Sequence, residues 1–231
     1  MVDEEKDFIN HLDELRKRLI SSFIAIAFCS VLAYIFREKI FEILVKPLNQ
    51  ALVFLSPAEA FVTIIKLSII IGIIMAFPYI IYQIWAFISV IFDKTKKLYV
   101  IKYILISLIL FYGAITFCYI VVIPIALKFL INVGNLPLIP AITLNNYVNF
   151  VMYTLLIFGI IFQFPVILLA LINLNIISRE TLKKKRIYVI LIIFIIAALI
   201  TPTPDAVTQI ILAVPMILLF EITLLIAKFK K

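Results

Sequence analysis

Charge disappears from this chain in long blocks. No Asp, Glu, Lys or Arg occurs over residues 19–36, 67–92, 103–127, 129–178 and 187–204, and a shorter charge-free block covers 206–220. A helix that crosses a bilayer needs about 20 predominantly apolar residues. Within 129–178 the turn-rich stretch INVGNLPLIPAITLNN divides the block into two such segments. The pattern predicts six helices, at 19–36, 63–91, 101–130, 148–172, 187–201 and 206–227, the fifth of them short for a span.

The mixed-charge opening has a different periodicity. Phe8, Leu12, Leu15 and Leu19 fall on one helical face, and Asp13–Lys17 and Glu14–Arg18 are i,i+4 pairs in the favourable acid-first order. Residues 5–18 should therefore form a short cytoplasmic helix running into the first span, lying along the membrane interface before it turns in. The connection 37–58 (REKIFEILVKPLNQALVFLSPA) predicts a short outer helix that ends near Pro47.

Pro78, Pro124, Pro165 and Pro215 each sit inside a predicted span. A proline frees a carbonyl and bends a membrane helix, which neighbours or water must then satisfy. Four such helices suggest a curved or open assembly. With four glycines and no GxxxG, the sequence argues against close helix–helix crossings. No internal repeat is visible, which weighs against an inverted-repeat transporter.

Composition agrees with the pattern. The chain is 65% hydrophobic and 15% charged, against about 45–50% and 25% in soluble domains. It reads as an all-α polytopic membrane protein, residues 1–231 forming a single integral membrane domain with the lipid bilayer as its solvent. Of its 21 Lys and Arg, sixteen fall at the N-terminus (Lys6, Arg16–Arg18), in 94–102, in 179–186 and at the C-terminus (Lys228, Lys230, Lys231). By the positive-inside rule both termini are cytoplasmic, as in a multi-pass protein of the cell membrane. The net charge of +8 is then a topology signal, and no nucleic-acid partner is expected. The N-terminus lacks the features of a cleavable signal peptide.

The chemistry-bearing residues are few. Cys29 and Cys118 lie far apart inside spans and read as apolar fillers. His11 is the one histidine, no metal-ligand spacing occurs, and no serine is placed with a base. No catalytic site, metal or cofactor is expected, and the sequence weighs against a membrane protease or metalloenzyme. An ionisable group inside a membrane costs about 2.5–3.5 kcal/mol on insertion scales, so each one needs a reason. Lys66 either snorkels outward or acts in the membrane. Glu221, in LLFEITLL, either reaches inner-leaflet water or a basic residue on another helix, or offers a docking point. Gln163, just before Pro165, needs hydrogen-bond partners from a freed carbonyl or another helix. Asp205, in TPTPDAVTQ, suits the cap of the last helix.

In order along nearly the whole chain stand HLDELRKRL (11–19), SPAEAFVTIIKLS (56–68), FPYIIYQIWAFI (77–88), FQFPV (162–166), LKKKRIYV (182–189), TPTPDAVTQ (201–209) and LAVPMILLFE (212–221). In this combination the chain resembles the TatC family, the polytopic core subunit of the twin-arginine protein translocase. The resemblance implies six helices in a concave, glove-like arrangement, with short fifth and sixth helices. It also implies recognition of twin-arginine signal peptides of folded precursor proteins, recruitment of TatA/TatB-type single-span partners, and self-association. Glu14 corresponds to the family's signal-binding glutamate and Arg16 to its characteristic arginine, with His11 beside them ordering that surface. The second glutamate that the family places between the second and third helices is absent from FDKTKKLY, leaving Asp93 as the acid of that turn. Gln163 stands where many relatives carry a glutamate. Gln163 and Glu221 are then polar contacts in the membrane, and Asp205 with Gln209 organises the outer end of the last helix. The rival reading is a small ion-coupled secondary transporter that uses Glu221 and Lys66.

Overall fold

The structure, a computed structural model, describes residues 2–48, 50–88, 97–132, 141–174, 176–200 and 206–229, the side chains of 2–11, 97–99, 132, 199, 200, 206–208, 211 and 229 excepted. Ten α-helices follow one another among these residues. They are α1 (Val2–Ile35), α2 (Arg37–Val45), α3 (Pro57–Ile88), α4 (Lys97–Phe117), α5 (Ile123–Asn132), α6 (Leu144–Ile161), α7 (Phe164–Asn173), α8 (Arg179–Lys184), α9 (Arg186–Ile200) and α10 (Ala206–Phe229). Among the described residues, four segments are long and apolar enough to cross a membrane: Leu12–Ile35, Pro57–Ile88, Val100–Ile131 and Leu144–Asn173. A shorter apolar segment, Arg186–Ala198, lies in α9, and α10 has 24 residues.

The chain clusters into two compact units. One comprises Met1–Leu44 with Phe54–Leu108, the other Val45–Val53 with Ile109–Lys231, so one boundary falls inside α4.

In the first unit the amphipathic opening runs into the following apolar segment without a break. The α-helix runs unbroken from Val2 to Ile35, about 51 Å at 1.5 Å per residue. Nothing in this stretch could end it: it holds no glycine or proline, and its acid-first i,i+4 pairs support continued winding. A single turn residue, Phe36, separates it from α2. The outer helix expected before Pro47 is α2, which ends at Val45.

The start of α3 is set by Ser56-Pro57-Ala58-Glu59. Ser56 Oγ accepts from the Glu59 N–H at 3.2 Å, and Glu59 Oε2 accepts from the Leu55 N–H at 2.8 Å. Proline at the first helical position has no N–H to leave unpaired. Helix α3 then packs along α1. Their backbones meet where Gly72 faces Ser30, since a Cβ on Gly72 would lie 2.7 Å from the Ser30 Cα. The expectation of no close crossing therefore fails here, because one glycine opposite one serine is enough without a GxxxG pair. Nearer the other end of α3, Trp85 stacks on Tyr103 with centroids 4.6 Å apart and donates its indole N–H to Ser107 Oγ at 3.3 Å.

The second unit shows how the prolines act. Ahead of Pro124 the chain widens into a π-helical turn, Cys118–Val122, with the Ile123 N–H bonded to the Cys118 carbonyl. Five-residue spacing makes room for a ring that an α-turn would crowd. At Pro165 the helix stops: α6 ends at Ile161, and α7 begins at Phe164 with the proline in its first turn. The α-helix continues through Pro78 and Pro215. Only two of the four prolines thus interrupt α-helical bonding.

Helix α6 packs on the π-helical turn, and Cys118, Ile123, Val151 and Met152 are wholly buried. Phe111 covers Gly159, whose missing side chain leaves the ring its place: a Cβ there would lie 2.9 Å from Phe111 Cδ2. Cys118 fits the apolar-filler reading, while Cys29 is half-buried. Buried hydroxyls turn back on their own helices, Ser68 to the Ile64 carbonyl at 2.9 Å, Thr154 to Phe150 at 2.6 Å and Thr223 to Leu219 at 2.8 Å. This satisfies each group with no partner from lipid or a second helix. The segments before α3 and before α6 are clipped together, as the Val53 N–H bonds the Ile142 carbonyl at 3.1 Å and the Leu144 N–H bonds the Val53 carbonyl at 2.8 Å. Helix α10 packs against α7, α8 and α9.

Candidate functional site

The charged decapeptide 11–20 lies within α1, and its acid is already engaged. Glu14 and Arg18 stand one turn apart, and Arg18 donates to the same carboxylate oxygen twice, from Nε at 3.0 Å and from Nη2 at 2.6 Å. The third arm of the guanidinium, Nη1, reaches across to Gln83 Oε1 on α3 at 2.8 Å. Gln83 Nε2 donates to the Tyr79 hydroxyl at 2.7 Å, and that hydroxyl shares a short hydrogen bond with Ser21 Oγ on α1. Two antiparallel helices are thus laced by one polar chain, Glu14–Arg18–Gln83–Tyr79–Ser21. Register explains the lacing: Arg18 meets Gln83, Ser21 meets Tyr79 and Ser30 meets Gly72. As the residue number rises along one helix it falls along the other.

Every hydrogen bond to Glu14 among the described residues goes to Oε1, so Oε2 has no partner there. The Glu14 side chain keeps 35% of its exposure, and Arg18 keeps 24%. Arg16 and Lys17, two and three residues further along α1, are exposed. The arrangement is a half-exposed carboxylate with one open oxygen on a basic surface. With both oxygens available a carboxylate accepts from a planar guanidinium fork better than from an ammonium, and here that requires Arg18 to give up Oε1.

The other sequence-derived positions divide. Arg16 lies two residues from Glu14 on α1 and points to solvent. His11 belongs to α1, but its side chain lies outside the described residues, as do Asp93 and Asp205. Lys66 is half-buried on α3. Glu221 on α10 pairs with Arg186 at the start of α9, Nε to Oε1 at 2.6 Å. That N–H is not aimed at the oxygen, so charge holds the pair together. Glu221 thus has a basic residue on another helix as a partner, one of the readings open for it. Gln163 is buried in the break between α6 and α7, and its Nε2 lies 3.5 Å from the Gly159 carbonyl. Gln209 donates to the Phe194 carbonyl on α9 at 3.0 Å, tying the last two helices together.

Four partners were not singled out from sequence: Ser21, Gln83, Tyr79 and Arg186. Tyr79 and Gln83 did leave a signal, since they are polar side chains four residues apart near the end of an apolar helix, and so share a face. Arg186 left none, being one of five basic residues in 179–186.

Residues 10–215 match the family described as Sec-independent protein translocase protein (TatC). The chain belongs to the TatC family. Among similar proteins of that description, the one from Carboxydothermus hydrogenoformans is 39% identical over all of this chain and 96% of its own length. The one from Aquifex aeolicus is 39% identical over 94% of this chain and 93% of its own. A crystal structure of the twin arginine translocase receptor TatC superposes with a TM-score of 0.85 at 38% identity, covering 94% of this chain and 99% of that one. The all-helical arrangement of this TatC-family chain is therefore that of a solved receptor.

Proposed function

We propose that this chain is the twin-arginine signal-peptide receptor of a Sec-independent protein translocase, with Glu14 as the carboxylate that takes a substrate arginine. Family membership makes it a translocase subunit and a membrane protein that does no covalent chemistry. The observation that carries the site assignment is the open Oε2 of Glu14 beside a guanidinium already seated on Oε1. The carboxylate thus already holds one group of the kind the substrate presents. Arg16 and His11 order the same surface, and Asp93 serves as the acid of the turn after α3.

The sorting of basic residues supports six spans with both termini in the cytoplasm of a cell-membrane protein. Segments α9 and α10 are then the fifth and sixth. Gln163 and Glu221 are polar contacts for single-span TatA/TatB-type partners, Lys66 is a further polar group within the second span, and Asp205 with Gln209 shapes the outer end of α10. Copies of the chain associate within the assembled translocase. With Glu221 paired to Arg186, the transporter reading loses its free carboxylate.

The test is site-specific photocrosslinking from Arg16 to a radiolabelled signal peptide in membrane vesicles, with Arg-Arg and Lys-Lys peptides, with and without E14Q. An adduct that requires both Arg-Arg and Glu14 supports the assignment. Labelling that is equal for both peptides and indifferent to E14Q sinks it.

A further inference from the structure

We infer that Arg18 is a built-in competitor for the substrate arginine and that Gln83 is the seat it moves to when displaced. The inference rests on the docking role of Glu14 and adds the residues that set how tightly that carboxylate is held.

Arg18 makes two bonds to Glu14 and one to Gln83. Its guanidinium already spans both positions, so it can leave the carboxylate by pivoting about the bond it keeps to Gln83 Oε1. The seat is prepared for a cation. An amide can present either its oxygen or its nitrogen, and here the nitrogen is committed, with Nε2 donating to the Tyr79 hydroxyl and that hydroxyl shared with Ser21. The oxygen therefore faces Arg18 as an acceptor. The incumbent bond is also weak enough to exchange. An i,i+4 ion pair at this exposure shifts an equilibrium by a factor of about two. A substrate guanidinium that engages both carboxylate oxygens outbids a neighbour held on one.

Competition of this kind has a distinctive signature. It lowers the affinity of every cationic ligand for Glu14 by the same factor and leaves their ratio unchanged. The experiment is a titration of the full chain in lipid nanodiscs with fluorescein-labelled signal peptides, Arg-Arg and Lys-Lys, read by anisotropy. R18Q is expected to tighten both peptides together, by about twofold. Q83L is expected to weaken both, because without Gln83 an Arg18 seated on Glu14 still has two bonds whereas a displaced one has none, and to have no effect in the R18Q background. R18K, which keeps the charge but lacks the fork, is expected to fall between wild type and R18Q, and it stands in if R18Q does not fold. Weaker binding in R18Q would show that Arg18 positions the carboxylate and would overturn the inference, as would a Q83L effect that persists in R18Q. E14Q separates the two levels. If E14Q leaves binding unchanged, the docking role itself falls. If E14Q weakens binding while R18Q does nothing, only the competitor falls.

Discussion

Gly72→Ala is the smallest change that tests how the docking helices are held. A Cβ at position 72 would sit 2.7 Å from both the Cα and the backbone nitrogen of Ser30, whereas comfortable contacts between carbon atoms lie at about 3.5–4.0 Å. The crossing must therefore open by about 1 Å. Flexible atoms cannot absorb this, because two of the atoms met are backbone. Overpacking of this kind costs about 1–3 kcal/mol, partly offset by about 0.5–1 kcal/mol from replacing a helical glycine by alanine. Gly113 on α4 supplies the control, since a Cβ there meets nothing within 4 Å, so G113A should gain that helical term undiluted. With about 2–4 °C per kcal/mol for a chain of this size, G72A should melt up to about 10 °C below wild type in detergent micelles, and G113A slightly above it. The wedge also acts at a distance. Gln83 lies eleven residues from Gly72, about 16 Å along α3, and a wider crossing separates Arg18 from Gln83, which shows as a changed response of peptide affinity to Q83L. If G72A rises in melting temperature as G113A does, the close approach of α1 and α3 is wrong.

Three further outcomes follow from the same geometry. Reversing one member of the Arg186–Glu221 pair (R186E or E221R) should destabilise the chain by about 0.5–1 kcal/mol, a modest figure because Arg186 is more than half exposed; the double reversal should recover most of it in thermal melts, and additive losses would refute the pairing. Q209L removes the bond from Gln209 to the Phe194 carbonyl and should cost about 1 kcal/mol, with lower disulfide-trapping yield between cysteines placed on α9 and α10; an unchanged yield would refute the tie. S56A removes the acceptor for the Glu59 N–H and should cost about 1 kcal/mol, read as faster amide exchange at Ala58 and Glu59, while unaltered exchange would show that Pro57 alone sets the helix start.

What could be read from the chain alone was whatever depends on local composition. Apolar blocks of bilayer length give helices wherever they occur, because no other backbone arrangement within one segment satisfies its own N–H and C=O groups in lipid. The i,i+4 charge order gave the Glu14–Arg18 pair, and α2 stopped short of Pro47 as the chain suggested. Motif order alone pointed to the family that residues 10–215 match.

Other features needed the fold because they depend on which surfaces meet. Residues 5–18 carry the periodicity of an interfacial helix, yet α1 continues through them, since an amphipathic pattern does not specify a break. One glycine gave the close crossing that a pair motif would have announced. Four prolines had two kinds of outcome, a π-helical turn or a helix break at Pro124 and Pro165 and an unbroken helix at Pro78 and Pro215, because packing around each ring decides how its freed carbonyl is satisfied. Gln83 became a partner of Arg18 only through the antiparallel register of α1 and α3. Sequence spacing determines contacts within one helix; the rigid packing of one helix on another determines which side chain lies across from Glu14 and Arg18, and so how the carboxylate is presented.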